Sequence, residues 1–318
     1  DNDTIGSDAK TCCSLENIND AKSVAKSLGI PFEVCDFRPE FEKKVISEFI
    51  SAYEHGITPN PCVDCNRTLK FDELFRAGKE LGQDYIATGH YVIVEHGEDG
   101  KYKLRKAVDL SKDQSYVLYS LSQEQLSHTM FPLGSMHKSE TRKIAEAHGF
   151  ISAKRKESQD ICFIPDGDYA SFIERYTGKK IASGNFVDMD GNILGIHKGI
   201  IHYTVGQRKG LGLALKHPMY VQYIDVDNNE VVLGSNEDLF KRELTAHNFN
   251  WVSIACPDAP FRAKARIRYK HKEAPATITP LSETEVKIVF DEPQRAITKG
   301  QSVVVYDGDY VVGGGKIV

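Results

Sequence analysis

LKFDELFRAGKELGQDYIATGHYV, residues 69–92, joins a helix with apolar residues at helical spacing, stopped by Gly82, to a strand that runs into Gly89 and His90. The same alternation holds upstream. NINDAKSVAKSLG (17–29) has helical apolar spacing and ends at Gly29, PFEVCDF (31–37) reads as a buried strand, and FEKKVISEFISAYEHG (41–56) is amphipathic. Strands alternating with helices in this way predict an α/β domain built on a parallel sheet, with ligands at the carboxyl ends of the strands. Thr88, Gly89 and His90 fall at such an end.

Downstream the pattern changes twice. Residues 91–107 suit a hairpin around the turn EDGK, and KDQSYVLYSL (112–121) leads into the helical, basic ETRKIAEAHG (140–149). NFVDMDGNILGIH (185–197) and HPMYVQYIDVDNNEVVLGS (217–235) then alternate as strands around Asp-Gly and Asn-Asn turns. After Lys241 a run of short strands at close spacing, among them EVKIVFDE and SVVVYDGDYVVGG, predicts a small closed barrel. The expected organisation is an α/β domain over 1–165, a small central β domain over 166–240 and a C-terminal β-barrel over 241–318.

At 318 residues the chain is too long for one core of ordinary size, and 41% apolar with 27% charged residues describe a globular protein. No run approaches the roughly 18 consecutive apolar residues of a membrane span, so no membrane partner is expected. Seven cysteines, an odd number without a regular framework, fit reduced thiols and a cytoplasmic setting better than structural disulfides. A net charge of −5 argues against nucleic acid only on average, because binding responds to local patches. In RAKARIRYKHK (262–272) Arg262, Lys264, Arg266, Arg268, Lys270 and Lys272 fall at every second position, which on a strand places all six on one face. Edge strands also carry lysines against aggregation. Six like charges in register nevertheless repel, and a phosphate backbone relieves that repulsion. Lys154, Arg155, Lys156 and the GQRKG loop at 206–210 add to the basic surface.

Two cysteine stations, PNPCVDCN (59–66) and SQDICF (158–163), carry the chemistry. The first is expected to hold Cys62 and Cys65 on an accessible, Pro-kinked loop, and the second sets Cys162 beside Asp160 at the edge of an apolar run. A CxxC pair alone serves as a redox pair, half of a zinc site or part of an iron-sulfur site. Zinc needs further ligands at matching spacing, and there is no second CxxC. Asp64 reads either as an acid or base or as a solvated loop carboxylate. Cys12 and Cys13, adjacent, and Cys35, in the expected buried strand, read as structural, and Cys256 has no assigned role. Trp251 is expected to pack the barrel core.

Taken together, TPNPCVDCN, LKF, DYIATGHYV, KDQSYVLYSL, ICFI, YTVGQRKGLG (203–212) and GQSVVVYDGDYVVGGG (300–315) resemble, in order, the successive signatures of the tRNA-specific 2-thiouridylase family. The resemblance runs over nearly the whole chain. It implies an ATP pyrophosphatase-type α/β domain, a small central β domain and a C-terminal β-barrel, acting on the wobble uridine of certain tRNAs. It also implies ATP with Mg²⁺, adenylation of the C2 oxygen of uridine, and sulfur delivered by a donor protein or as inorganic sulfide. On the matching positions Cys162 resembles the persulfide-bearing cysteine and Cys65 its partner. Gly89 matches a glycine near ATP, and His90 a tRNA contact beside it. Asn60, Pro61 and Cys62 match the loop that meets the target base. Lys112, Asp113 and Gln114 match a tRNA-contacting segment, and Arg268, Tyr269 and Gln301 match tRNA contacts from the barrel.

The chain departs from the family pattern in two places. Many members carry aspartate where Cys62 stands. With Cys62, Cys65 and Cys162 as three thiols, this chain resembles members that bind a 4Fe-4S cluster, whose open iron could present hydrosulfide, and the cluster reading is favoured slightly over a persulfide relay. The family's phosphate loop, SGGxDS, is expected upstream of Asp1. Other readings are a non-catalytic tRNA-binding protein and an amide-forming ligase of the ATP pyrophosphatase group, the latter having no need of both cysteine stations.

Overall fold

The structure, a computed structural model, describes residues 15–150, Ala153 and residues 161–318. Cys12, Cys13, Lys154, Arg155, Lys156 and Asp160, singled out above, lie outside the described residues. Helix α1 (Leu15–Leu28) gives way to Gly29, whose φ of +66° no side-chain-bearing residue adopts comfortably. α2 (Arg38–Phe41), a π-helical stretch Glu42–Ile46 and α3 (Ser47–Glu54) run on as one helix. It buries Val45, Ile46, Phe49, Ile50 and Tyr53 along one face, the stripe its sequence pattern predicts. A second continuous helix joins α4 (Pro61–Cys65), the π-helical Asn66–Glu73 and α5 (Leu74–Glu80), and ends just before Gly82.

β1 (Ile86–Ala87) pairs in parallel with β4 (Thr129–Met130), with α6 (Gln123–Ser127) leading into β4. These two short strands are the parallel sheet of the α/β domain among the described residues. The segment 31–37 is not the buried strand expected. It has no ladder partners, and Val34 is 61% exposed, because no described strand lies beside it to accept its backbone hydrogen bonds. Cys35 is accordingly exposed. α7 (Lys138–Ala147) and α8 (Tyr169–Thr177) complete the helices, α8 with Asp168 capping the N–H of Ser171.

The central domain is a four-stranded sheet of β5 (Gly184–Val187), β6 (Ile193–His197), β7 (Tyr220–Asp225) and β8 (Glu230–Gly234), in the order β6-β5-β8-β7. The C-terminal strands are β9 (Phe240–Trp251), β10 (Phe261–Arg266), β11 (Ala274–Pro280), β12 (Glu285–Arg295), β13 (Ser302–Asp307) and β14 (Tyr310–Ile317). Their order, β13-β10-β11-β12-β9-β14 with β14 pairing back to β13, closes a six-stranded barrel. Alternate residues such as Val286, Ile288 and Phe290 fill its interior. Trp251 packs against this core and donates its indole N–H to Glu283 O. The hairpin β2 (Val92–His96) and β3 (Tyr102–Lys106) forms around residues 97–101 as expected, but it extends the barrel sheet through Arg105 opposite Tyr310.

Three apolar clusters weld these units. One joins the α2–α3 helix and α8 to the central sheet through Phe49, Phe163, Ile173, Phe186 and Val231. A second seats Phe71, Tyr116, Leu118 and Leu121 of the first domain on the outer face of the barrel at Val304, Tyr306 and Val311. The third is the barrel interior.

Candidate active site

Pro61 sits in the first turn of the cysteine helix, where its missing N–H leaves no bond unmade, and Asn60 O accepts from Val63 N–H at 3.1 Å. Cys62 and Cys65 therefore occupy the opening turn of a helix rather than the loop expected from sequence. Cys62 is exposed. Cys65 is half-buried and packs against the same apolar cluster as Cys162, which is also half-buried. Two stations nearly a hundred residues apart thus pack against one core, and none of the described cysteines is in a disulfide.

The thiol of Cys62 opens to solvent on one side, but the protein packed around it pushes it up from the ordinary range, with Lys70 opposing and Asp64 adding to the rise. Cluster ligation demands thiolates. Among the described residues no three Cys, His, Asp or Glu side chains converge as a metal-holding group. Cys62, Cys65 and Cys162 are therefore not gathered as the ligand set of a 4Fe-4S cluster in this structure.

Asp64 is neither a solvated carboxylate nor a free base. It is 5% exposed and paired to Lys316 Nζ at 3.0 Å, from the last strand of the barrel, with Arg67 at 3.5 Å. These three groups line a cleft of about 310 Å³ between the cysteine helix and the barrel, with Tyr119, Asn248 and Asn250 on its walls. A smaller cleft of about 190 Å³ lies between Tyr53, Asp168, His202 and Gln207.

The other residues singled out from sequence gather beside the cysteine helix, though most are engaged by the protein itself. Gln301 Nε2 donates to Thr58 O at 3.0 Å and Pro59 O at 3.1 Å. Asp113, 7% exposed, accepts from the N–H of Ala107 and from both N–H and Oγ of Ser115, and faces Arg266 at 3.9 Å. Burial pushes its carboxyl up, against the pull of those hydrogen bonds. Tyr269 donates to Asp113 O at 3.2 Å, and its phenol is raised by burial first and Asp113 second, with Arg266 and Lys112 lowering it and Cys62 adding to the rise. Gln114 Oε1 accepts from Tyr91 N–H at 2.9 Å. Lys112, Tyr269 and Cys62 therefore share one electrostatic neighbourhood.

Two placements differ from a simple RNA-facing surface. His90 is 8% exposed, lies 2.8 Å from Thr88 Oγ1 between the rings of Phe71 and Phe131, and is held neutral, its pKa lowered to about 3 by burial and then by Lys70. Gly89, by contrast, is exposed at the carboxyl end of β1, and a Cβ there would meet only Leu133, at 3.7 Å. The basic strand ends at Arg266, so the six cations do not share one face. Arg262 pairs with Asp291 at 2.6 Å, Arg266 lies over Tyr116 and Tyr269, and Arg268 turns inward to Ala296 O and Thr298 Oγ1. Lys264, Lys270 and Lys272 remain exposed. Arg266 and Asp64 were missed as organising residues, although the alternation of the basic strand already marked Arg266.

Comparison with known proteins accounts for this arrangement. A family model described as "tRNA methyl transferase HUP domain" matches residues 1–166, a "tRNA methyl transferase PRC-barrel domain" matches 170–235, and an "Aminomethyltransferase beta-barrel domain" matches 241–317. The tRNA-specific 2-thiouridylase MnmA of Clostridioides difficile is 52% identical over 96% of this chain and 85% of its own length. The chain belongs to the tRNA-specific 2-thiouridylase MnmA family. The MnmA relatives of Acetivibrio thermocellus, 53% identical over 96% of this chain and 86% of the relative, and of Lachnoclostridium phytofermentans, 48% over 100% and 89%, agree. Seen as an MnmA-family chain, the three units above are the HUP domain, the PRC-barrel domain and the C-terminal barrel. None of the described helices is long and apolar enough to cross a membrane.

Proposed function

We propose that this chain is a tRNA-uridine 2-sulfurtransferase acting on the wobble uridine, with Cys65 and Cys162 carrying the sulfur. The observation that carries this reading is that Cys65 and Cys162, neither in a disulfide, pack against one apolar core beside the Asn60–Cys62 turn, in a chain about half identical to proteins named tRNA-specific 2-thiouridylase. ATP is the expected co-substrate: adenylating the C2 oxygen releases pyrophosphate and makes AMP the leaving group. The exposed, unobstructed Gly89 at a strand's carboxyl end supports a nucleotide there. Mg²⁺ would accompany ATP and offset its phosphate charge.

Inorganic sulfide enters directly as the hydrosulfide that adds to C2; from a donor protein, sulfur arrives instead as the outer sulfur of the donor's persulfide, which the Cys162 thiolate attacks so that the donor thiolate leaves. The Cys65 thiolate attacks the inner sulfur, the S–S bond to the outer sulfur breaks, and hydrosulfide leaves with that electron pair while a Cys65–Cys162 disulfide forms. Hydrosulfide then adds to C2 and AMP departs. The two electrons lost by the thiols are the two gained by the sulfane sulfur, and an external dithiol restores the enzyme. Half-buried thiols beside an apolar cluster shield the persulfide from water until the tRNA is in place. Cysteines outside disulfides and a tRNA substrate support a cytoplasmic setting for this chemistry.

The test is nucleoside mass spectrometry of tRNA incubated with the protein, ATP, a sulfur donor and dithiol. 2-Thiouridine should appear with the native protein and vanish in Cys65→Ser and Cys162→Ser while tRNA binding persists. Binding without any product from the native protein would instead support a non-catalytic tRNA-binding role.

A further inference from the structure

The barrel touches the cysteine helix's approach at one tight point. Thr58 N–H donates to Lys299 O at 3.1 Å, and Gln301 Nε2 spends its donors on Thr58 O and Pro59 O. Between them Gly300, at φ +85°, brings its backbone so close that a Cβ would lie 2.1 Å from Ile57 Cγ2. The segment so gripped leads directly into Asn60, Pro61 and Cys62, and Pro61 lacks the N–H that Thr58 O would meet three residues on. The Gln301 amide holds both the Thr58 and the Pro59 carbonyl instead.

We propose that Gln301 is a positioning residue: by holding the Thr58 and Pro59 carbonyls it fixes the entry of the cysteine helix, and so the placement of Cys62 and Cys65, rather than acting mainly as an RNA contact. The clamp couples the barrel to the reacting thiols across the domain boundary. Its kinetic consequence rests on the sulfur-transfer reading, whereas its structural consequence does not.

Hydrogen exchange and single-turnover kinetics on the full chain test it with Gln301→Glu, which sets a carboxylate against two carbonyls. Where that variant unfolds, Gln301→Asn, too short to reach both carbonyls, takes its place. Losing the two bonds should speed amide exchange over residues 57–66 by about 10-fold, with strands β13 and β14 unchanged. Formation of 2-thiouridine at saturating tRNA should fall by about 10-fold, with tRNA Kd held within about 2-fold. Unchanged exchange over 57–66 would overturn the proposal, and so would a weakened Kd with the single-turnover rate retained, which would make Gln301 an RNA contact. If the native protein forms no 2-thiouridine, the sulfur-transfer reading fails, and the exchange measurement still decides the clamp.

Discussion

At the scale of single residues, burial governs what the titratable groups can do. Cys62 was legible as a thiol of interest because CxxC stands out in any sequence, but its elevated pKa was not, since it comes from packing and from Asp64. Its alkylation by iodoacetamide should keep accelerating with pH above about 8.5, where an ordinary thiol levels off. A plateau at or below that pH would mean a preformed thiolate. His90 shows the same effect with a measurable stability signature. Its pKa is about 3 in the folded protein against 6.5 unfolded, so between those values the unfolded chain takes up a proton that the folded chain refuses. Stability therefore falls as pH drops below 6.5, by up to about 1.4 kcal/mol per unit from this group. Urea unfolding of His90→Gln at pH 7.5 and pH 5.0 should show a drop smaller than the native protein's by about 2 kcal/mol. His197, also lowered by burial, leaves a residual slope. An unaltered pH dependence would mean that His90 is protonated in its pocket. Asp64 could not be read correctly in advance, because its partner Lys316 lies at the far end of the chain.

At the scale of elements, what was legible had a local cause. The helices ending at Gly29 and before Gly82, the hairpin at 97–101 and the barrel strands follow from apolar periodicity and from turn residues a few positions apart. The segment 31–37 failed because its apolar residues mark a strand only if a neighbour pairs with it. The basic run failed beyond Arg266 because tertiary partners, Ala296 O and Thr298 Oγ1, draw Arg268 inward and break the alternation. Gly300 is the element-scale hinge of the account. Gly300→Ala combines an unfavourable φ with a clash against Ile57, and should cost about 2–4 kcal/mol in denaturant unfolding. A cost under about 0.5 kcal/mol would mean that the 299–301 turn and the 57–59 segment slide apart freely.

At the scale of the whole molecule, the domains are joined by two shared apolar clusters and by polar ties at the cysteine helix, Gln301 on one side and Lys316 on the other. The order of domains was readable from changes in periodicity, whereas the way they close over one another depends on contacts between distant segments. On the proposed function, an acidic chain meets RNA through local patches of cations. With Arg262, Arg266 and Arg268 engaged internally, Lys264, Lys270 and Lys272 are the cations of that basic run left exposed for phosphate. Replacing those three lysines with Gln should flatten the dependence of log K on log salt for tRNA by about 2–3 units of slope. No change in slope would place the RNA on another face. The central claim, that two thiols gathered from distant stations transfer sulfur to tRNA, is tested most directly by mass spectrometry of nucleosides from tRNA treated with ATP, a sulfur donor and dithiol. The account predicts 2-thiouridine from the native protein and none from Cys162→Ser despite intact tRNA binding. Undiminished 2-thiouridine from Cys162→Ser would contradict it.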